Sequence, residues 1–416
     1  MSLSTKKVLQ IDYGLFPEMG VRIARDVAQV FYFAEFRDAF ADHFKAKIGD
    51  GLEGLERIDN YEDYLDKVDL IFVSDIALGG LTEHLKRHNY PVCGAGKSEW
   101  LEIKRWEARK YQKEHDLPVQ ATWLIVGIPA LTEFLQKNKN VVVKINDNFR
   151  GLQESFTSDD FRSIESVVDC MNWKLGPYKE QIEFVVEEKI DGTEPGLDGI
   201  SWDGELLYPC MIGYEGKGVG CVERTYQTEQ ELPTVMKFIH EGFAPEFKRN
   251  KMKFFYSAEI KIGKDRVPFL IDPCIRLAGP ATSAIQTEII ENYTEVVFGL
   301  GNGEKVSPIM KYKYSAGLPL SSMDAEKQWV HVDFPKDQRK WIKFRRGIKT
   351  KSGYWAVPGL ESVCTVIALG SSVKEVMDKC LKLAHEVKGK GVDSDSVSFE
   401  NLQESIDEGK KYGIPF

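Results

Sequence analysis

At 416 residues, 43% hydrophobic and 29% charged, the chain has the composition of a globular protein of two or three domains, which excludes intrinsic disorder and fibrous repeats. Its net charge of -9 argues against a phosphate-backbone footprint, so nucleic acid is not an expected partner, and no apolar run approaches the roughly 20 residues of a membrane helix. The seven cysteines form no CxxC pair and no secretory leader is evident, so neither a disulfide framework nor a zinc site is expected, and a reducing, cytoplasmic compartment is.

In chain order, Val8-Leu9-Gln10-Ile11 running into Asp12-Tyr13-Gly14 predicts a buried strand and turn, and apolar spacing over residues 20–45 predicts a helix. A second strand is expected over 68–73, a helix over 81–88 and a third strand over 90–93, just before Gly94 and Gly96. This alternation implies a doubly wound α/β sheet. Residues 98–115 read as one long charged helix stopped by Leu117-Pro118. A small α/β lobe follows, with strands at 121–126, 141–145 and 182–189 and helices at 131–137 and 159–170. Glycines 192, 196, 199, 204, 213, 216, 218 and 220 then punctuate short strands, as in antiparallel hairpins. Strands at 254–261 and 267–271 flank the turn 263–266, and the last hundred residues form a separate piece with strands at 329–332 and 362–368 and a helix at 372–387.

Four groups of residues are placed to carry chemistry. Lys144 ends a run of three valines and precedes the polar loop Asn146-Asp147-Asn148-Phe149-Arg150-Gly151, a suitable holder of phosphate oxygens, although a lysine snorkelling from a strand end has the same appearance. Arg105 and Arg109 share one helix face and suit either a phosphate wall or solvent. In the segment Glu187-Glu188-Lys189-Ile190-Asp191-Gly192-Thr193-Glu194, an apolar strand meets an acidic turn. Backbone groups near Lys189 and Ile190 suit a base edge, with Glu194 seven residues after Glu187 to accept from ribose; a strand ending in a polar turn is the plain alternative. Glu259 and Asp272 lie in apolar runs on two neighbouring strands, where facing carboxylates need a hard cation such as magnesium, unless each pairs with a lysine such as Lys261. Arg276, four residues on, is placed to offset charge on a transferred phosphoryl group.

The order and spacing of these groups resemble the ATP-grasp superfamily, and over residues 1–300 the glycinamide ribonucleotide synthetases in particular. Leu101-Glu102-Ile103-Lys104-Arg105 resembles that family's LExSK element, with Arg109 at the phosphate-contacting position. The segment from Glu187 to Glu194 resembles its EEFLDGEE hinge, which implies adenine contacts at Glu187, Lys189 and Ile190, with Glu188 beside them, and a ribose contact at Glu194. Asp272-Pro273-Cys274-Ile275-Arg276-Leu277-Ala278-Gly279-Pro280 resembles the metal motif ExNxRxGDP, which implies metal ligands at Glu259, Asp272 and Cys274. Asp272 replaces Glu there, and Cys274 replaces Asn with a soft thiol that suits magnesium poorly.

The resemblance implies an ATP-grasp fold of α/β and α+β lobes: an N-terminal doubly wound domain over 1–97, an ATP-grasp domain over 98–304 with a lid lobe at 117–185, and an α+β C-terminal domain over 305–416. It also implies ATP and Mg2+ as cofactors, small carboxylate and amine substrates, and a ligation through an acyl phosphate with Lys144 and Arg276 as catalytic residues. The loop 146–156 is the expected lid. The family's glycine-rich substrate loops are replaced by residues 12–20 and 213–220, so the substrates are expected to differ. Two rivals are a regulatory ATP-binding module without catalysis, favoured by Cys274, and a carboxylase-type enzyme forming carboxyl phosphate. Whether the protein is a monomer or a dimer stays open.

Overall fold

The computed structural model describes residues 2–36, 43–147, 155–216, 220–394 and 397–416. They form two compact units. Unit 1 comprises Met1–Ser98, Pro195–Ser257 and Cys274–Phe416, and unit 2 comprises Glu99–Glu194 and Ala258–Pro273.

Unit 1 begins with a parallel sheet of β1 (Lys7–Asp12), β2 (Gln29–Ala34), β3 (Leu55–Arg57), β4 (Leu70–Val73) and β5 (Val92–Cys93), in the order β3-β2-β1-β4-β5. The order reverses at β1, as in the expected doubly wound sheet, with α1 (Pro17–Ile23) and α2 (Gly79–Arg87) between strands. Leu9, Ile11, Phe31, Phe33, Ile71 and Val73 form its core. The helix expected over 20–45 is a correction: α1 ends at Ile23, and Gln29–Ala34 is a strand. Val30, Phe31, Tyr32 and Phe33 are all buried, and a continuous run of branched and aromatic residues suits a parallel strand covered on both faces.

Asp12 closes β1 at the reversal of strand order. Its carboxylate accepts from the amides of Gly14 and Phe16 and from the Tyr32 hydroxyl. Burial, with Asp75 nearby, pushes it up to about 7 despite these hydrogen bonds. A carboxyl raised in the folded state stabilises most when both states are protonated, and that contribution is lost as pH rises from about 4 through about 7. The fall in unfolding free energy from pH 5 to pH 8 is therefore expected to be shallower in Asp12→Asn than in the parent, and parallel slopes in urea melts would refute this.

Unit 2 opens with α3 (Trp100–Ile103) and α4 (Arg105–Glu114) rather than one long helix, a second correction. Lys104 leaves helical geometry at φ -114, ψ 74. The Arg105 amide donates to the Asn146 carbonyl and the Trp106 amide to Asn146 Oδ1, so bonds to a distant strand end replace helical ones. The lobe's antiparallel sheet joins β6 (Thr122–Val126), β7 (Val141–Ile145), β8 (Ser155–Ser158) and β9 (Glu183–Glu188) in the order β6-β9-β7-β8. Helices α5 (Ile128–Lys137) and α6 (Phe161–Leu175) pack on it, α6 being capped by Asp160, which accepts from the Ser163 amide. Their core includes Leu131, Val143, Ile164, Phe184 and Val186.

The chain then returns to unit 1 through β10 (Pro195–Trp202), β11 (Glu205–Leu206), β12 (Cys210–Glu215) and β13 (Cys221–Tyr226), the antiparallel strands that the glycine spacing suggests. After α7 (Thr234–Arg249), β14 (Lys253–Ile262) starts in unit 1 and ends in unit 2, where β15 (Pro268–Cys274) lies beside it. Next come α8 (Pro280–Ile289), α9 (Tyr293–Asn302), β16 (Tyr314–Ser321), β17 (Val330–Asp333), β18 (Ile342–Phe344), β19 (Gly347–Thr350), β20 (Gly353–Ala356), β21 (Ser362–Gly370), α10 (Val373–Glu386), β22 (Lys388–Gly389) and α11 (Leu402–Lys411). The unit 1 sheet runs β14-β10-β12-β13-β16-β21-β18, and a smaller one runs β19-β20-β17-β22. Among the described residues no helix is long and apolar enough to cross a membrane.

Candidate functional site

Alternation on β7 and β9 explains how charged side chains come to sit on a buried sheet. Val141, Val143 and Ile145 of β7 and Phe184 and Val186 of β9 enter the lobe's core, so Lys144 and Glu187 point to the other face. In the register Val142 lies opposite Glu187, which puts Lys144 one diagonal step from it. Arg109 reaches the same carboxylate from α4.

The result is a buried three-charge cluster. Arg109 Nε donates to Glu187 Oε1, and Lys144 Nζ lies 3.3 Å from Glu187 Oε2. Arg109, Lys144 and Glu187 are only 4%, 5% and 1% exposed. Burial alone pushes the Glu187 carboxyl up, but the charges and hydrogen bonds of Arg109 and Lys144 outweigh it and hold it below the usual range. Both cations also donate to the Ile271 carbonyl, Lys144 at 2.8 Å, and Arg109 Nη1 donates to Gln112 Oε1 at 2.9 Å. Two cations on one carboxylate leave one positive charge over, and among the described residues Asp272, 3.9 Å from Lys144 Nζ and one-third exposed, balances it.

The segment after β9 runs along the end of β14. Thr193 and Ile262 exchange backbone hydrogen bonds, and a side chain at Gly192, whose φ is +152°, would overlap the Ile262 carbonyl. Glu188 is exposed, with its amide bonded to the Ala121 carbonyl; the Lys189 amide bonds the Asn140 carbonyl while its ammonium pairs with Asp159 at 2.9 Å; Ile190 is half-buried. Glu194 is exposed and pairs with Lys261 at 2.7 Å.

Glu259 and Asp272 sit half-buried on the adjacent strands β14 and β15. Cys274 and Arg276 belong to unit 1, where both are half-buried and Arg276 Nη1 donates to the Leu277 carbonyl. Among the described residues no three His, Cys, Asp or Glu side chains converge as a metal-binding group. Of the expected lid, residues 148–154 lie outside the described residues, as do 217–219 of the loop 213–220.

Unit 2 thus brings together Arg109, Lys144, Glu187 and Asp272, which the sequence spreads over more than 160 positions. Sequence reasoning missed the Ile271 carbonyl, a backbone group with no signature. It also missed Gln112, whose spacing of three from Arg109 on a helix was the available signal.

No family model matches the chain. Phosphoribosylamine–glycine ligase of Haemophilus influenzae is 23% identical over 337 residues, covering 75% of this chain and 78% of its own. The solved phosphoribosylamine–glycine ligase from Thermotoga maritima matches with a TM-score of 0.69 at 16% identity, over 93% of this chain and 98% of that one. Biotin carboxylase from Campylobacter jejuni, solved with β-γ-ATP, gives 0.65 at 12% identity over 99% and 98%. An L-amino acid ligase from Bacillus licheniformis gives 0.61 at 15% identity over 92% and 98%.

Proposed function

Because the chain has the fold of the ATP-grasp ligases, we propose that it is an ATP-dependent carboxylate–amine ligase forming ADP and phosphate through an acyl phosphate, and that it works in the cytoplasm. The observation that carries this reading is the buried Arg109–Lys144–Glu187 cluster, with the one-third exposed Asp272 carboxylate 3.9 Å from Lys144 Nζ. A dry cation pair held by a carboxylate behind it is preorganised for phosphate oxygens, and at low dielectric such groups act more strongly than in water.

In this reading Arg109 and Lys144 hold the polyphosphate. Backbone groups at Lys189 and Ile190, with Glu187 and Glu188 at the strand end, border the adenine, and Glu194 accepts from ribose in exchange for Lys261. The substrate carboxylate oxygen attacks the γ-phosphorus, the bond to the β,γ-bridging oxygen breaks, and ADP leaves. Arg276 and Lys144 offset the charge that develops on the transferred group. The amine nitrogen then attacks the acyl carbon, phosphate departs with the C–O bonding pair, and the amine releases a proton.

The donor set fits magnesium in part. Glu259 and Asp272 offer hard oxygens on adjacent strands, whereas the Cys274 thiol does not suit a hard cation. Bound there, magnesium would supply charge neutralisation at the nucleotide phosphates. Cys274→Asn is expected to lower the Mg2+ concentration giving half-maximal turnover by roughly threefold to tenfold. An unchanged magnesium requirement would remove position 274 from the metal site.

The deciding experiment measures ADP and phosphate release with ATP, Mg2+ and a panel of small carboxylates and amines. Release that needs both substrates is the expected result. ATP binding without turnover across the panel would leave a regulatory nucleotide-binding module, the alternative that Cys274 favours. The likeness to biotin carboxylase over nearly the whole chain supports a further alternative, for which bicarbonate-stimulated ADP release without an amine is the mark.

A further inference from the structure

Unit 1 holds a second charged cluster, on one face of its antiparallel sheet. Gly213 of β12 lies opposite Glu223 of β13, and Met211, two residues earlier, lies opposite Asp198 of β10, so Asp198 and Glu223 share a face on either side of β12. Glu223 in turn faces Ser315 of β16. Gly213 puts no side chain between the two acids, and a Cβ there would stand 3.0 Å from Glu223 Cγ.

All three polar residues are enclosed, Asp198 at 5%, Glu223 at 1% and Ser315 at 0% exposure. Ser257 hydrogen-bonds Asp198, and Thr282 of α8 stands beside Glu223. Even so, among the described residues Asp198 Oδ1 and Ser315 Oγ have no hydrogen-bond partner, and the two Glu223 carboxylate oxygens have at most the Thr282 hydroxyl between them. Gln286, one turn along α8 from Thr282 and on the same face, has Oε1 without a partner among them. Burial pushes Asp198 up to about 7, with Glu215 adding to the rise against the Ser257 hydrogen bond. Burial and then the Asp198 charge raise Glu223 well above the usual carboxylate range.

Folded chains rarely leave several buried acceptors without donors at one spot. Acceptors outnumber donors in this lining even with the Ser315 and Thr282 hydroxyls counted, so the group that answers it carries positive charge and several N–H donors. Glu215, on the same face of β12, adds a third acidic charge, and among the described residues these side chains do not converge as a metal-binding group. A primary ammonium has three donors and no acceptor.

We propose that Asp198 and Glu223, with Ser315 and Gln286, bind the primary ammonium group of the amine that the enzyme joins to its carboxylate, and that one of the two carboxylates takes the proton this ammonium must lose before its nitrogen attacks, an inference that rests on the ligase reading above. An anionic or uncharged acceptor is disfavoured by the same lining, which makes the charge of the amine substrate the selected feature.

The test uses the full chain and n-butylamine as the probe, with n-butanol as its uncharged counterpart, in ligand-observed NMR titrations. The parent is expected to bind the amine and not the alcohol, and Glu223→Gln and Asp198→Asn are each expected to weaken amine binding by about tenfold or more. Thermal midpoints of the unliganded variants should match or exceed the parent's, because each removes repulsion between acids, so lost binding cannot be mistaken for unfolding. Equal binding of amine and alcohol, or affinity kept within about threefold in both variants, would overturn the site. ADP release that depends on an amine yet survives both substitutions overturns the site and leaves the ligase reading standing. Binding that follows the two carboxylates, with no ADP release for any carboxylate–amine pair, retains the ammonium site and removes the ligase reading.

Discussion

Glu187→Ala is expected to lower the unfolding free energy by about 3–5 kcal/mol, because it strands the Arg109 and Lys144 charges beside each other in a dry interior. In the folded protein the two cations are held by a carboxylate whose own desolvation they outweigh. Removing one of the stranded cations as well should recover part of the loss. The double substitution Glu187→Ala with Lys144→Met is therefore expected to be more stable than Glu187→Ala alone, the non-additive behaviour of groups in one network. Urea melts of the parent, both single variants and the double variant measure this cycle. A Glu187→Ala protein within about 1 kcal/mol of the parent would mean that the cluster is not held together by its charges.

Arg276→Ala should have the largest effect on turnover, lowering kcat for ADP release by about 100-fold to 1000-fold, the scale of losing one group aimed at charge that develops in the transition state. Arg276 is half-buried, so its loss should leave stability within about 1 kcal/mol. ATP affinity should hold, since the polyphosphate is assigned to Arg109 and Lys144. Arg276→Lys, which keeps the charge but loses the planar fork, should fall between the two. A kcat within about threefold of the parent, in a variant that still binds ATP, would take Arg276 out of the chemistry.

The local structure around the site was largely legible. Val141–Ile145 and Glu183–Glu188 were readable as strands because short apolar runs bounded by polar turns carry their own signal. The failures share a cause in tertiary context. Residues 98–115 have continuous helical spacing, and only the hydrogen bonds to Asn146 break the helix at Lys104. No element is expected over Thr234–Arg249, although Met236, Ile239, Phe243 and Phe247 keep a helical stripe that is fully buried.

The site divides in the same way. Lys144 and the acidic strand exit stood out as types and spacings, and their order along the chain carried the family resemblance. That Arg109 closes on Glu187 could not be read, since 78 positions separate them and each alone suits a solvated face. Asp198 and Glu223 look like two ordinary acids until strand register sets them on one face.

Unit 2 is not a continuous stretch of chain: Glu99–Glu194 begins it, Pro195–Ser257 belongs to unit 1, and Ala258–Pro273 returns to it. On the ribosome, β7 and β9 emerge long before the strand that carries Ile271 and Asp272. Lys144 and Arg109 then have Glu187 but not the Ile271 carbonyl to which both donate. At a synthesis rate of roughly 5–20 residues per second, that interval lasts several seconds. The lobe's hydrophobic core can form at once, while its charged face waits for a segment delivered late. A chain truncated before residue 258 should keep the core of unit 2 and lack the finished cluster.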